Sequence, residues 1–309
     1  MSTRNARARR ATWVAGVLTL AACSSSSGSG FGGSSSSSDT KDGGTSLSTG
    51  TDGGNTLIQA GLDASSVETS DDCPASAKLV YVTGQGSKLY SFYPPTFTFT
   101  EIGTLTCLDS PTHMTVDRQG SAWVVSDGSL YKASTADASC SAVTNWTPQP
   151  DNFADFALTF VGTSSSGPDN TLYMLGSAEG GLGSAVLGSF DLTSGAVTTI
   201  GMPNVESPGG DMTTNGDGNL YFLMDQQQLA LYEINPSNAD IVTTYAPGAS
   251  GGGDQALAFY GGSFYLFEND VVYQFDPTTH KTTMLGMAPL QVTGAGESTC
   301  VPTVPPTAH

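Results

Sequence analysis

A fixed thirteen-residue step, taken five times, constrains this chain more than any other feature. It runs from Tyr90 to Gly103, Tyr131 to Thr144, Gly188 to Gly201, Tyr232 to Tyr245 and Tyr273 to Gly286, with no gap needed in any copy. The first member of each pair sits in a short apolar run: KLYSFYP from Lys88, SLYKAS from Ser129, LGSFDLT from Leu187, LYEINP from Leu231 and VVYQFDP from Val271. Ahead of each lies another such run: KLVYV from Lys78, SAWVV around Trp123, TLYML around Tyr173, NLYFL around Tyr221 and SFYLF around Tyr265. Gly, Asn, Asp and Pro cut these β-branched and aromatic runs apart, which is the pattern of short strands joined by hairpins. One such unit, complete in Gly210 to Tyr245, has no apolar partner of its own. It must bury its faces against copies of itself.

The inner strand of each copy is also legible. Four inner runs precede their partners: His113 to Val116, Phe156 to Phe160, Asp211 to Thr214 and Gln255 to Phe259. The first copy, at Lys78, has only linker ahead of it, and an unpaired strand-like run, Leu290 to Gly294, follows the last copy. The orphan at one end fits the vacancy at the other, and pairing them leaves no open edge at the seam. The prediction is an all-β chain forming a five-bladed β-propeller closed by its C-terminal strand. A two-sheet sandwich would need neither the constant step nor the spare strand. In a ring of stacked blades the inner strands are covered on both faces, so they read as continuous apolar runs. Trp123, Tyr173, Tyr221 and Tyr265 are accordingly expected to pack between blades and not to form a platform for sugars.

The LY-x-F-D/N-P runs and the GDGNLYFL type of strand, over residues 73–300, resemble the blades of Gram-negative envelope propeller lipoproteins and, more loosely, WD40-like and NHL-like repeats. The chain has no WD dipeptide, which sets it apart from a true WD40 array. It also lacks the tryptophan-docking repeats of propellers that carry a quinone cofactor.

Residues 1–22 read as a signal peptide: Arg4, Arg7, Arg9 and Arg10, then the apolar run Ala11 to Leu20, too short to span a bilayer. Leu20-Ala21-Ala22-Cys23 resembles the lipobox of bacterial lipoproteins. That resemblance implies cleavage before Cys23, acylation of its thiol and a firm multi-chain lipid anchor. Ser24 stands where an aspartate would favour retention in some inner membranes, so an outer-membrane location, periplasmic or surface-facing, is expected. Residues 23–72 are then the lipidated cysteine and a flexible tether of Ser, Gly, Thr and Asp, with too little apolar surface to fold alone. Residues 73–300 are the propeller, and residues 301–309 are expected to be a disordered tail. The chain carries a formal net charge of −18, and loss of the four signal-peptide arginines, with no acid removed, leaves −22. That balance argues against nucleic acid and anionic lipid surfaces as partners. A protein or a glycan is the partner class left open.

Beyond Cys23 there remain Cys73, Cys107, Cys140 and Cys300. An even number in an exported chain indicates two disulfides, with three possible pairings. Cys300 follows the closing strand and Cys73 precedes the first strand, where the closing blade lacks the hairpin that joins its neighbours' inner strands. A Cys73–Cys300 bridge would replace that hairpin, leaving Cys107 to pair with Cys140 between the first two blades.

Chemistry is sparsely written. The histidines are His113, His280 and His309, and no HExxH, P-loop or dinucleotide fingerprint occurs. Inner strands of a propeller start at one rim of the channel, and here those starts carry His113, Asp155, Asp211 and Asp254, with Gln255 beside the last. Converging acids would raise one another's pKa and favour a divalent cation such as calcium, or a hydroxyl-rich ligand. The plainer role for these aspartates is local Asx-turns at the strand starts. Two functions follow: a membrane-tethered binding or scaffold module, with no cofactor required, or a propeller-type hydrolase, lactonase or lyase using the acidic mouth with a bound cation.

Overall fold

The computed structural model describes residues 73–149, 152–162, 171–177, 185–205, 210–216, 218–225, 228–249 and 252–306. The chain divides into two units, Met1–Asp63 and Ala64–His309, and all described residues belong to the second. The signal peptide, Cys23, the tether and His309 lie outside the described residues.

The second unit is a five-bladed β-propeller. Blade 1 holds β1 (Val80–Gly84), β2 (Lys88–Tyr93) and β3 (Thr98–Thr104). Blade 2 holds β4 (Pro111–Val116), β5 (Ser121–Ser126), β6 (Ser129–Ser134) and β7 (Cys140–Ala142). Blade 3 holds β8 (Asp155–Phe160), β9 (Thr171–Ser177), β10 (Val186–Asp191) and β11 (Val197–Gly201). Blade 4 holds β12 (Met212–Thr214), β13 (Leu220–Asp225), β14 (Leu229–Ile234) and β15 (Ile241–Tyr245). Blade 5 holds β16 (Gln255–Tyr260), β17 (Ser263–Glu268), β18 (Val271–Asp276) and β19 (Lys281–Met287). The last strand, β20 (Val292–Gly296), returns to blade 1 and gives it the order β20-β1-β2-β3.

The thirteen-residue step has a structural meaning. It sets the register between the third and fourth strands: Leu89 faces Gly103, Leu187 faces Gly201, Leu231 faces Tyr245 and Val272 faces Gly286. In blades 1, 3 and 5 the ladder slips immediately after that pair. Such a bulge adds one residue and strengthens the local twist. In four blades the step is thus a c–d hairpin of fixed length, in three of them with its bulge at the same place, while in blade 2 the fourth strand ends at Ala142, two residues before Thr144.

The core lies between blades. Trp123 of β5 meets Phe160 of β8 edge-on at 5.9 Å, Tyr221 of β13 meets Phe264 of β17 at 4.7 Å, and Phe92 of β2 meets Phe267 of β17 at 5.9 Å. Trp123, Tyr221 and Tyr265 are buried, while Tyr173 is half-buried. Burial of each large apolar side chain contributes roughly 1.5–3 kcal/mol, and the aromatic contacts fix which blade sits beside which.

Two strands start two residues later than the sequence pattern places them. The run at Lys78 becomes β1 only from Val80, because Ala75–Lys78 forms a 3-10 turn closed by Ala77 N–H on the Pro74 carbonyl. The closing run at Leu290 becomes β20 only from Val292. There Gln291 still belongs to the connection, with its carbonyl accepting from Gln85 N–H at 3.0 Å. Of the tail predicted over 301–309, residues 301–306 are described. Val301 is buried, and the Pro302 carbonyl accepts from Gly261 N–H at 2.7 Å.

The seam is secured three ways. β1 pairs with both β2 and β20. Cys73 is bonded to Cys300, with Cα atoms 6.0 Å apart; the second disulfide, Cys107–Cys140, lies away from the seam and joins blades 1 and 2, with Cα atoms 5.8 Å apart. The Ser298 hydroxyl donates to the Ala77 carbonyl at 2.6 Å. β20 also approaches β4 backbone to backbone. A Cβ on Gly296 would lie 2.4 Å from the Met114 carbonyl oxygen, and one on Gly294 would lie 2.9 Å from His113 Cα. Gly296→Ala is therefore expected to destabilise the domain by about 1–3 kcal/mol through overpacking. Equilibrium denaturation measures this, and a variant as stable as the parent would show that the seam is not tightly packed.

Candidate functional site

The mouth of the channel is built at the starts of the inner strands. His113 is the third residue of β4, behind a bulge between Pro111 and His113. Its ring nitrogens face two carboxylates: Nδ1 lies 3.3 Å from Asp211 Oδ1, and Nε2 lies 3.7 Å from Asp155 Oδ1. Asp155 opens β8 and is exposed; its Oδ1 also accepts from the Thr112 hydroxyl. Asp211 immediately precedes β12 and is completely buried.

Asp211 is a strut across the channel. Oδ1 faces His113 of blade 2 and accepts from Met212 N–H at 3.0 Å. Oδ2 accepts from Leu257 N–H of β16 at 3.1 Å and from Ala295 N–H of β20 at 3.2 Å. One carboxylate thus ties blade 4 to blades 1, 2 and 5. Both oxygens are filled by donors.

A second acid lies next along the axis. Glu297, just past β20, is buried. Its Oε1 accepts from the Thr213 hydroxyl of β12, and its Oε2 from Phe259 N–H of β16 at 3.1 Å. Its own carbonyl accepts from Val116 N–H and the Thr115 hydroxyl of β4, each at 3.3 Å. Glu297 therefore links the same four blades as Asp211.

The remaining predicted residues lie differently. Asp254 is exposed and accepts from Gln291 Nε2 at 2.9 Å, so it braces the connection into β20. Gln255 is buried, and neither amide atom has a hydrogen-bond partner among the described residues. The structure therefore brings His113, Asp155 and Asp211 into one cluster and sets Asp254 apart. Glu297 was not singled out from the sequence. Nor was Asp117, a buried turn residue whose carboxylate accepts from Ser121 N–H, Trp123 Nε1 and Lys132 Nζ within blade 2. Among the described residues no three His, Cys, Asp or Glu side chains are grouped to hold a metal ion.

Charge in the cluster follows from burial and partners. Burial opposes a charge on His113, but hydrogen bonding to Asp155 and Asp211 pushes it up to about 9. The same His113 contact holds Asp155 below the usual carboxylate value, against partial desolvation. Complete burial pushes the Asp211 carboxyl up, while His113 and the two amide donors pull it down. Burial pushes Glu297 up to about 8, opposed by the Thr213 hydroxyl and Phe259 N–H. Near neutrality the axis thus holds a protonated His113 between Asp155 and Asp211, with a protonated Glu297 beside them.

This predicts a pH dependence. Glu297 and His113 both bind their protons more tightly folded than unfolded, from ordinary values of 4.5 and 6.5 to about 8 and about 9. Their contributions are complete below the ordinary values and are lost as pH rises through about 8 and about 9. The melting temperature should fall across that range, and Glu297→Gln, which keeps an acceptor for Phe259 N–H, should fall less steeply. Thermal scans over pH decide this, and an equally steep fall in Glu297→Gln would remove Glu297 as a cause.

No protein-family model matches the chain, and no curated protein matches it. Among solved structures it is similar to a chain in the crystal structure of a nidogen/laminin complex. The two share 11% identity with a TM-score of 0.46, over 71% of this chain and 80% of that one.

Proposed function

We propose that this chain is a lipid-anchored binding or scaffold protein of a bacterial outer membrane, held by an acylated Cys23, whose propeller engages a protein or polar partner through its rims and outer edges. The observation that supports this best is the filled channel: Asp211 and Glu297 are buried there, with their carboxylate oxygens satisfied by the protein's own donors. An axis already occupied by the fold leaves the periphery to do the binding. The exposed apolar side chains fit that reading. Val242 lies on β15, Met284 and Met287 on β19, and Met202 just past β11, all on or beside the outermost strands.

Photo-cross-linking in intact envelopes tests this, with the reactive group placed at Met284, at Tyr93 or at Asp155, the exposed member of the mouth cluster. Adducts of one defined partner mass from Met284 or Tyr93 are expected. Adducts from Asp155 alone would move binding to the channel mouth and favour the hydrolase, lactonase or lyase reading. The anchor has its own test. Cys23→Ser should move the protein from the membrane fraction to the soluble fraction, and unchanged partitioning would contradict acylation.

A further inference from the structure

We propose that a tyrosine-lined groove on the rim where the inner strands end binds extended proline-rich segments, and that the chain's own Pro302–Pro306 is such a segment, docked along one wall. This deepens the rim-binding reading and rests on it for the choice of a peripheral surface.

The groove lies between blades 1 and 5. The Pro94–Pro95 turn after β2 forms one wall, Tyr260, Ser263 and Tyr265 line it from blade 5, and Pro305–Pro306 form the other wall. It encloses about 600 Å³, within the range of small-ligand sites. No lining residue carries a charge, although the chain has 28 acidic residues. A charged ligand would find no partner among them.

Three observations choose the ligand class. First, the segment Pro302-Thr303-Val304-Pro305-Pro306 has PxxP spacing, and it is already seated here. Its Pro302 carbonyl accepts from Gly261 N–H, and a Cβ on Gly261 would lie 3.4 Å from Pro305 Cα. Second, Tyr93 and Tyr260 stand edge to face, with centroids 6.1 Å apart, making an aromatic ridge at the groove. Grooves with aromatic walls are the usual receptors for polyproline II segments, which bring little ordering cost and expose every carbonyl as an acceptor. Third, Tyr265 is only 6% exposed, and its hydroxyl makes no hydrogen bond among the described residues. Burial pushes this phenol up to about 12, so it stays protonated and able to donate. A peptide carbonyl in the groove would accept from it.

The test is calorimetric titration of the full mature chain with decaproline, with a Gly-Ser peptide of equal length as control. Saturable binding of decaproline alone is expected. Tyr265→Phe, which removes only the unbonded hydroxyl, should weaken it about tenfold while leaving the melting temperature unchanged. Absence of saturable binding, or equal affinity in Tyr265→Phe, would overturn the proposal. So would a lower melting temperature in that variant, since the hydroxyl would then belong to the fold. Tyr265-dependent binding of maltotriose without decaproline binding would make this a sugar site and equally overturn it. If decaproline fails while Met284, outside the groove, still cross-links a partner, the groove assignment falls and the rim-binding reading stands.

Discussion

Asp211→Ala is expected to take the propeller to the edge of unfolding. The substitution takes from His113 its buried partner, leaving only the exposed Asp155, and leaves Leu257 N–H and Ala295 N–H facing an empty space. Each buried polar group so orphaned costs about 1–3 kcal/mol, and three are orphaned at once. A domain's whole stability is typically about 5–15 kcal/mol. Chemical denaturation would show a large loss of midpoint, or no folded baseline at all. Asp211→Asn should fall between, because one oxygen remains but an amide donor now faces the donors of the other site. A loss under about 1 kcal/mol in Asp211→Ala would mean the carboxylate is not a strut between blades.

Removing the seam disulfide should have the next largest effect. Cys73 and Cys300 are 227 residues apart in sequence, against 33 for Cys107 and Cys140. In the chain-entropy model the longer closure stabilises by about 5 kcal/mol and the shorter by about 4 kcal/mol. The longer one also holds β20 beside β1, where no a–b hairpin joins them. Cys73→Ser with Cys300→Ser should therefore lower the denaturation midpoint more than Cys107→Ser with Cys140→Ser. It should also raise amide exchange first in β20 and β1. Equal losses with no localised exchange would show that the closing strand is held by its ladder alone.

The repeat was legible because hairpin length and strand register leave a mark of fixed size. Tyr90 to Gly103 and Tyr273 to Gly286 are such marks, each one residue from a paired position in the ladder. The seam was legible from an unpaired strand and two cysteines. The axis was only half legible. His113, Asp155 and Asp211 could be placed by counting to the strand starts. Asp254 could not, because side chains alternate along a strand: Gln255 takes the buried position and Asp254 the exposed one. Glu297 left no local trace. It reads as an ordinary acid after a strand, and its burial depends on partners 84 and 38 residues away, Thr213 and Phe259. Only ring closure brings them together. The contact of Pro302 with the Gly261–Gly262 hairpin left no local trace either, since its partner lies about forty residues away.

The sealed axis is tested most directly at His113, one of three histidines, with His280 in an exposed turn. Long-range proton–nitrogen NMR of the imidazole, followed over pH with and without calcium, reports its charge and both of its contacts. An imidazolium at neutral pH, titrating at about 9 and unmoved by calcium, is the result expected if Asp155 and Asp211 are committed to it. A neutral ring titrating near its ordinary 6.5, or a resonance shifted by calcium, would contradict a channel closed by the protein's own charges.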